Sequence, residues 1–497
     1  MRRRTCLKTL ASAALALSGF AAHAVPEDMP VVSGATDKVP AESKAAETSE
    51  HFDVVVVGSG LAGLTAALTA RTAGAAKVAV FEKAPLVGGH SAFASGSIAF
   101  VDEKRQKPQG IEDSVDRFAA DAREVGGDID EELVRLMVDR SAEALDWLEG
   151  QGVRFAPVIF SAYGGRHRRC VTAYGNLGAR RYIFELNRRC RSLGVQVRVM
   201  RRVTALRLLP GSWYAVDVTN TSDRSFTTVT ASRVILATGG FGANLALRMK
   251  YRPELDENLT TTADPHGLMK DPATGDGLFL ADRFGAERVN MDKMVLLPYW
   301  GGRMLDYSGA EIYVNREGRR FTDETAPTSK IARAISLLPA RRMYVITDAK
   351  SVKGGNVGAK LAAGSVHRAE SIEEMALGMD VPAANLRQTI AEYNAAVVSG
   401  KPDAFGRKLF MQTIETPPFY WGAERLMVHS TLGGLKVDER ARVLDQDNMP
   451  VPGLYAAGEV AGGIWGEDRP GGAGLLTALV LGRIAGREAA RSGKPVP

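Results

Sequence analysis

The feature that most constrains this chain is a junction: four consecutive valines, Val54 to Val57, run directly into Gly58-Ser59-Gly60-Leu61-Ala62-Gly63. A β-branched run of this length reads as a buried strand, and the glycines end it abruptly. The Ala/Leu-rich stretch from Leu61 to Ala73 then reads as a helix, and Lys77 to Phe81 as a second buried strand. Strand, glycine turn, helix and strand make a βαβ unit. In a G-x-G-x-x-G turn, one glycine permits the tight turn, one admits a diphosphate to the backbone, and one lets helix and strand pack closely. The helix N-terminus turns its free N–H groups and positive dipole end towards that diphosphate. Glu82 closes the second strand 19 residues after Gly63, where an acidic side chain binds ribose hydroxyls. The expectation is a nucleotide cradle beginning at about residue 51.

Ahead of that junction the chain is of another kind. A basic start, MRRRTCLKTL, is followed by an apolar run from Leu10 to Ala22 and the small-residue site Ala22-His23-Ala24. That is the layout of a secretory signal over residues 1–24, with cleavage expected before Val25 and a periplasmic destination. The run is too short to span a bilayer permanently, so no membrane span is expected after signal removal. The arginines ahead of Thr5, Cys6, Leu7 and Lys8 favour the twin-arginine route over a general secretory signal. Residues 25–50, rich in Pro, Ala, Ser, Glu and Lys, read as a solvated spacer. Arg2, Arg3, Arg4 and Lys8 account for four of the formal +6 charges, which leaves a nearly neutral +2 and removes the electrostatic case for nucleic-acid binding. Cys170 and Cys190 remain; they could pair in an oxidising periplasm, but buried thiols are the preferred expectation, and no Cys-x-x-Cys-His is present to hold a c-type haem.

Further along, Arg180–Leu193 reads as a helix, Val195–Leu208 and Trp213–Val218 as a strand pair, and Ser232–Ala237 as a short buried strand. Leu454–Ala457 is a strand pattern and Leu475–Arg491 a helix, whereas residues 292–429 are less regular. Three segments extend the nucleotide theme: Glu82-Lys83 with Gly88-Gly89-His90-Ser91, then Ala237-Thr238-Gly239-Gly240, then Gly453-Leu454-Tyr455-Ala456-Ala457-Gly458-Glu459 with the glycine loop at 471–474. In this order they resemble the motifs of two-dinucleotide-binding flavoproteins, which implies FAD as the cofactor. The resemblance places its contacts at Gly58, Gly60, Leu61, Ala62, Gly63, Glu82 and Lys83, and at Gly89, His90, Ser91 and Gly239. It adds Gly275, Asp276, Gly458, Glu459, Gly474, Leu475 and Leu476. Noncovalent binding is expected, and His90 is expected to fill a position beside the flavin, with a covalent histidine tether as the alternative.

Val314-Asn315-Arg316-Glu317-Gly318-Arg319-Arg320-Phe321 and His429-Ser430-Thr431-Leu432-Gly433-Gly434-Leu435 narrow the likeness. With the other motifs they resemble the soluble fumarate reductase and flavocytochrome c flavoprotein family over residues 51–491. That implies an α/β fold, in which a Rossmann-type FAD-binding domain (residues 51–291 and 430–497) is interrupted by an α+β capping, or clamp, domain (residues 292–429). It also implies an oxidoreductase in which flavin N5 delivers hydride to an alkene conjugated to a carboxylate. By matching motif positions, His429 and Arg469 would clamp that carboxylate. The chain departs from the fumarate reductase pattern where the acid should be. Thr328 stands at the position of the family's proton-donating arginine, Leu297 at that of a substrate histidine, and Tyr307 at an arginine of the proton path. Tyr307 is carried forward as a catalytic candidate, beside Tyr299 and Lys330. Pro470-Gly471-Gly472-Ala473-Gly474-Leu475 looks more like tricarballylate and 3-ketosteroid dehydrogenases, so a dehydrogenase that introduces the double bond is the alternative. A non-catalytic flavin carrier is the alternative of another class. No metal site is expected, and electrons would come from a separate cytochrome or quinol-linked partner.

Overall fold

The computed structural model describes residues 47–491 except 163–166, 176, 212 and 269. The signal expected over residues 1–24 and most of the spacer expected over residues 25–50 lie outside the described residues. β1 (Glu47–Val57) passes through Gly58 into α1 (Leu61–Thr72) and returns as β2 (Val78–Phe81), parallel to it. The glycines are required by contact as well as by torsion. Gly58 has φ of 102°, and a Cβ at Gly63 would lie 2.0 Å from the Gly58 carbonyl oxygen. Helices at Val115–Gly126, Glu131–Asp139 and Ser141–Gly150 join the same apolar core through Phe118, Val134 and Leu145.

α2 (Arg180–Ser192) leads to β3 (Gln196–Arg198), and β4 (Arg201–Leu209), β5 (Trp213–Asn220) and β6 (Phe226–Leu236) follow. The single strand expected at Val195–Leu208 is two strands. Met200, at φ of 54°, turns the backbone, so β3 continues the parallel sheet beside β2 while β4 starts an antiparallel ribbon with β5. α3 (Asp276–Ala281) is a short helix after this ribbon.

The stretch without clear periodicity holds a second sheet, made of β7 (Met294–Pro298), β8 (Ile312–Val314), β9 (Arg342–Thr347), β10 (His367–Ala369) and β11 (Phe419–Thr431). β11 is its spine, pairing antiparallel with β7, β9 and β10. Alternate residues point to opposite faces of a strand. Ile312, Val314 and Ile346 therefore pack with Leu386 and Tyr393 of α4 (Ala383–Ser399). Tyr313, Met343 and Val345 pack with Ile331 and Ile335 of the helix Thr328–Ser336. Beside this sheet lies a buried ion network. Both Glu324 oxygens accept from Arg320 at 2.7 Å, Arg407 Nη1 donates to Glu324 at 2.7 Å, and Arg320 also meets Asp403 at 2.7 Å. The Arg320-Phe321-x-x-Glu324 pattern thus holds this part of the fold together.

The chain then returns to the first sheet as β12 (Arg442–Leu444) and β13 (Pro450–Ala456), and ends in α5 (Ala473–Arg491). The spatial order is β12-β13-β6-β1-β2-β3, with β13, β6, β1, β2 and β3 mutually parallel. Parallel sheets covered by helices on their faces read as continuous apolar runs, which is what Val54–Val57 is. α5 lies against α1, where a Cβ at Gly486 would come within 2.3 Å of the Ala66 carbonyl oxygen. Among the described residues no helix is long and apolar enough to cross a membrane.

Candidate active site

Four parallel strands, β2, β1, β6 and β13, end level with one another. Gly58 N donates to Phe81 O at 2.8 Å, Ala237 N to Val57 O at 2.8 Å, and Ala457 N to Leu236 O at 2.9 Å. Open α/β sheets bind ligands beyond the carboxyl ends of their strands. A cavity of about 680 Å³ opens there, walled by Gly58–Ala62, Ala237–Gly239 and Ala457–Glu459, and closed on its other side by residues of β7 and β11. The glycine-rich wall and the uncapped N-terminus of α1 at Gly60 fit a dinucleotide diphosphate. Gly63, Gly275 and Leu476 do not reach the wall; the other anticipated cofactor residues do. Gly63 serves the helix–strand contact, Gly275 is the left-handed N-cap of α3 at φ of 77°, and Leu476 is fully buried in the core.

The polar residues of the cradle are pinned. Glu82 accepts from Ser59 N–H at 3.0 Å, Ser59 Oγ at 2.7 Å and Ala84 N–H at 2.8 Å. Ser91 Oγ accepts from Leu61 N–H at 3.1 Å. Asp276 sits 3.2 Å from Lys83 Nζ and 3.2 Å from Arg202 Nε. His90 Nε2 lies 2.5 Å from Asp271 Oδ1. Burial opposes a charge on His90, but the Asp271 hydrogen bond and the carboxylates of Asp271 and Glu459 outweigh it and raise its pKa. Asp271 is held below the usual carboxylate range: burial works against this, and His90 overcomes it.

The second pole of the cavity is built at the end of β11. Val295 pairs with Ser430 and Leu296 with Val428, so His429 is the extra residue of a β-bulge. Bulges re-aim side chains, and this one turns His429 to the cavity. Its Nδ1 lies 2.9 Å from Thr262 Oγ1. Burial, with the positive charges of Arg469 and His90, pushes its pKa down to about 3, so the ring is neutral at neutral pH. Arg469 reaches the same wall and donates from Nη2 to Ser430 Oγ at 3.3 Å. Its guanidinium lies over Gly474, where a Cβ would be 2.8 Å from Nη2. Burial lowers the Arg469 pKa, which Asp468 and Glu459 partly offset, and an arginine stays cationic through such a shift. Asp468 is buried and accepts from Arg469 N–H at 2.8 Å and from Ser329 N–H at 2.8 Å; burial raises its pKa.

The three candidate acids separate. Tyr307 lies outside the cavity wall, and its hydroxyl accepts from Val352 N–H at 3.1 Å. Lys330 is exposed and also off the wall. Tyr299 lines the cavity and, as a residue, is 42% exposed. Burial and the nearby carboxylates of Glu424 and Asp306 raise its pKa, which keeps the phenol protonated. Sequence reasoning missed Thr262, Asp271 and Asp468, none of which lies in a recognisable motif.

A glycine-walled dinucleotide groove that meets a neutral imidazole and a buried guanidinium fits an FAD-dependent oxidoreductase acting on carbon–carbon bonds, the class that the family match and the relatives of this chain support. The chain belongs to the FAD binding domain family, which matches residues 53–475. It is 32% identical to a probable fumarate reductase of Shewanella frigidimarina, covering 90% of this chain and 76% of that protein. It is 34% identical to a urocanate reductase of Eggerthella lenta, covering 88% and 74%. Among solved structures, the open conformation of a flavocytochrome c3 fumarate reductase superposes with a TM-score of 0.71 at 31% identity, covering 90% of this chain and 79% of that one.

Proposed function

We propose that this protein reduces the C=C bond of an α,β-unsaturated carboxylate. The observation that carries the reading is the pairing of His429 and Arg469, joined through Ser430, in the wall that also holds the glycine loops. When bound, FAD supplies the hydride that reaches the β-carbon of the alkene. The chain supplies the rest. Arg469 binds the carboxylate as a cation, and His429, whose Nδ1 lies 2.9 Å from Thr262 Oγ1, presents Nε2–H as a neutral donor in the tautomer that has Nδ1 accept from the threonine. Together they stabilise negative charge that develops on the carboxylate side of the alkene. Tyr299, in place of Tyr307, transfers its phenolic proton to the α-carbon and is reprotonated from solvent. The product is the saturated acid, two electrons and two protons richer.

In this reading residues 292–429 are the cap that closes on the substrate, and Lys83, Glu82, Ser91 and Glu459 hold the cofactor noncovalently. The protein is exported through its residue 1–24 signal, works in the periplasm, and receives electrons from a separate cytochrome or quinol-linked partner. The test is anaerobic: holoenzyme reduced with viologen is mixed with a panel of enoates and flavin reoxidation is followed. At least one enoate is expected to reoxidise it, Tyr299→Phe to slow that step by about 10²-fold, and Tyr307→Phe to leave it unchanged. A panel in which no enoate reoxidises the flavin would sink the reading.

A further inference from the structure

The loss of the expected arginine at residue 328 leaves a specific arrangement behind. Thr328 is 5% exposed and lines the cavity, yet its hydroxyl has no hydrogen-bond partner among the described residues. The hydroxyl is not one of the sealed, unpaired side-chain atoms of the described residues: it keeps access to the cavity, where a ligand can accept from it in place of water. Thr328 is also the first residue of the nine-residue helix Thr328–Ser336, whose N-cap, Pro327, offers no side-chain cap. The helix's first free donors are accounted for one by one. Ser329 N–H goes to Asp468 Oδ2 at 2.8 Å, Lys330 N–H to Pro327 O at 3.0 Å, and Thr328 N–H to no acceptor among the described residues. Two donors, a hydroxyl and a backbone N–H, therefore stand together at one cavity-lining residue.

This point is tied to the His429 and Arg469 pole. Asp468 precedes Arg469 in the chain, and its carboxylate takes both Arg469 N–H and Ser329 N–H, at 2.8 Å each. The helix start is thus fixed across from the guanidinium by two hydrogen bonds through one side chain. The same carboxylate sets the charge of what can bind. A second anion at this helix turn would sit beside Asp468 and be repelled, whereas a neutral acceptor would not.

We propose that Thr328 and its backbone N–H form a second substrate subsite that takes the neutral carbonyl oxygen of a distal carboxamide or ester. This rests on the enoate reading above, with His429 and Arg469 holding the carboxylate. The substrate class is then an enoate with a neutral carbonyl group at its other end, not a dicarboxylate.

Two measurements on the FAD-loaded enzyme test this. In the first, the KM for flavin reoxidation is compared for trans-4-amino-4-oxobut-2-enoate, its methyl ester counterpart, fumarate and crotonate. Thr328→Val is expected to raise KM for the amide and ester by about tenfold, leave kcat within about twofold and leave crotonate unchanged. Thr328→Ser is expected to restore the amide KM, and Asp468→Asn to narrow the preference for amide over fumarate. In the second, the saturated amide, succinamate, is titrated into oxidised enzyme and read by the flavin absorbance shift. Thr328→Val is expected to weaken it about tenfold relative to butyrate. Equal losses for amide and crotonate, or no loss for either in both measurements, overturn the proposal. If no enoate turns over but the succinamate result holds, the subsite stands and the enoate reading falls.

Discussion

The two sheets solve the problem of walling one cavity by different physics. The parallel sheet contributes backbone: strand ends, glycine turns and a helix N-terminus, with side chains such as Glu82 and Ser91 folded back to brace the loops. The second sheet and its flanking helix contribute side chains: Tyr299, Thr328 and His429. The first wall rests on an apolar core of Val54, Val56, Leu64 and Ile235, all fully buried. The second is braced by buried charge, in which Arg407 and Glu324 are 0% and 1% exposed at their side chains. A backbone cradle recognises what all dinucleotides share, and a side-chain wall can be rebuilt for one substrate. That division explains how the chain can keep the cofactor motifs and still carry Thr328 where the family resemblance implies an arginine.

The largest effect that would test this contrast lies in the ion network. Glu324→Ala leaves Arg407 as a buried cation without its carboxylate and Arg320 with Asp403 alone, and the expected loss is about 3–5 kcal/mol of stability. Hydrogen exchange should show the loss first in β8, β9 and β11, with β1 and β2 still protected. Equal loss of protection in both sheets would break the contrast. Next comes Arg469→Lys, which keeps the charge but removes the planar fork. A fall of about 10²-fold in kcat/KM is expected, with FAD content unchanged as measured by its absorbance. Loss of FAD in that variant would mean that Arg469 belongs to the cradle and not to the substrate wall.

How much of this could be read from the sequence follows the same division. Val54–Val57 with Gly58–Gly63 could be read because the constraint is local: each glycine answers a backbone torsion or a close contact within a few residues. Residues 292–429 gave no clear period because their strands are short or, like β11, shared among three partners, and both faces of the sheet are covered. His429 was found by its motif, but the bulge that aims it depends on its register with β7, which no local pattern encodes. Tyr307 stands where the family resemblance implies an arginine of the proton path. The structure gives its hydroxyl to Val352, 45 residues away. Asp468 could not have been found, because its role is to join Arg469 to a helix that starts about 140 residues earlier in the chain.

The smallest effect compares two histidines, one in each wall. His90, in the cradle, has a raised pKa because it pairs with Asp271; His429, at the bulge, is pushed down to about 3 by burial and by Arg469. The signs are opposite. His90 binds its proton more tightly when folded than when unfolded, so its stabilisation is complete below the unfolded value of about 6.5 and is lost as pH rises through its folded pKa. His429 resists protonation when folded, so its contribution is complete above about 6.5 and is lost as pH falls towards 3. Each group contributes a slope of at most about 1.4 kcal/mol per pH unit. In denaturant titrations of substrate-free holoenzyme, His429→Gln should flatten the decline between pH 6.5 and 4, and His90→Gln the decline above pH 6.5. His429→Gln should leave the alkaline limb in place, whereas His90→Gln should also soften the acid limb, because the His90 charge helps to hold the His429 pKa down. If His429→Gln instead flattened the alkaline limb, the ring would be a cation in the folded protein. It would then bind the carboxylate as a second charge beside Arg469, and the neutral-donor role assigned to it would be wrong.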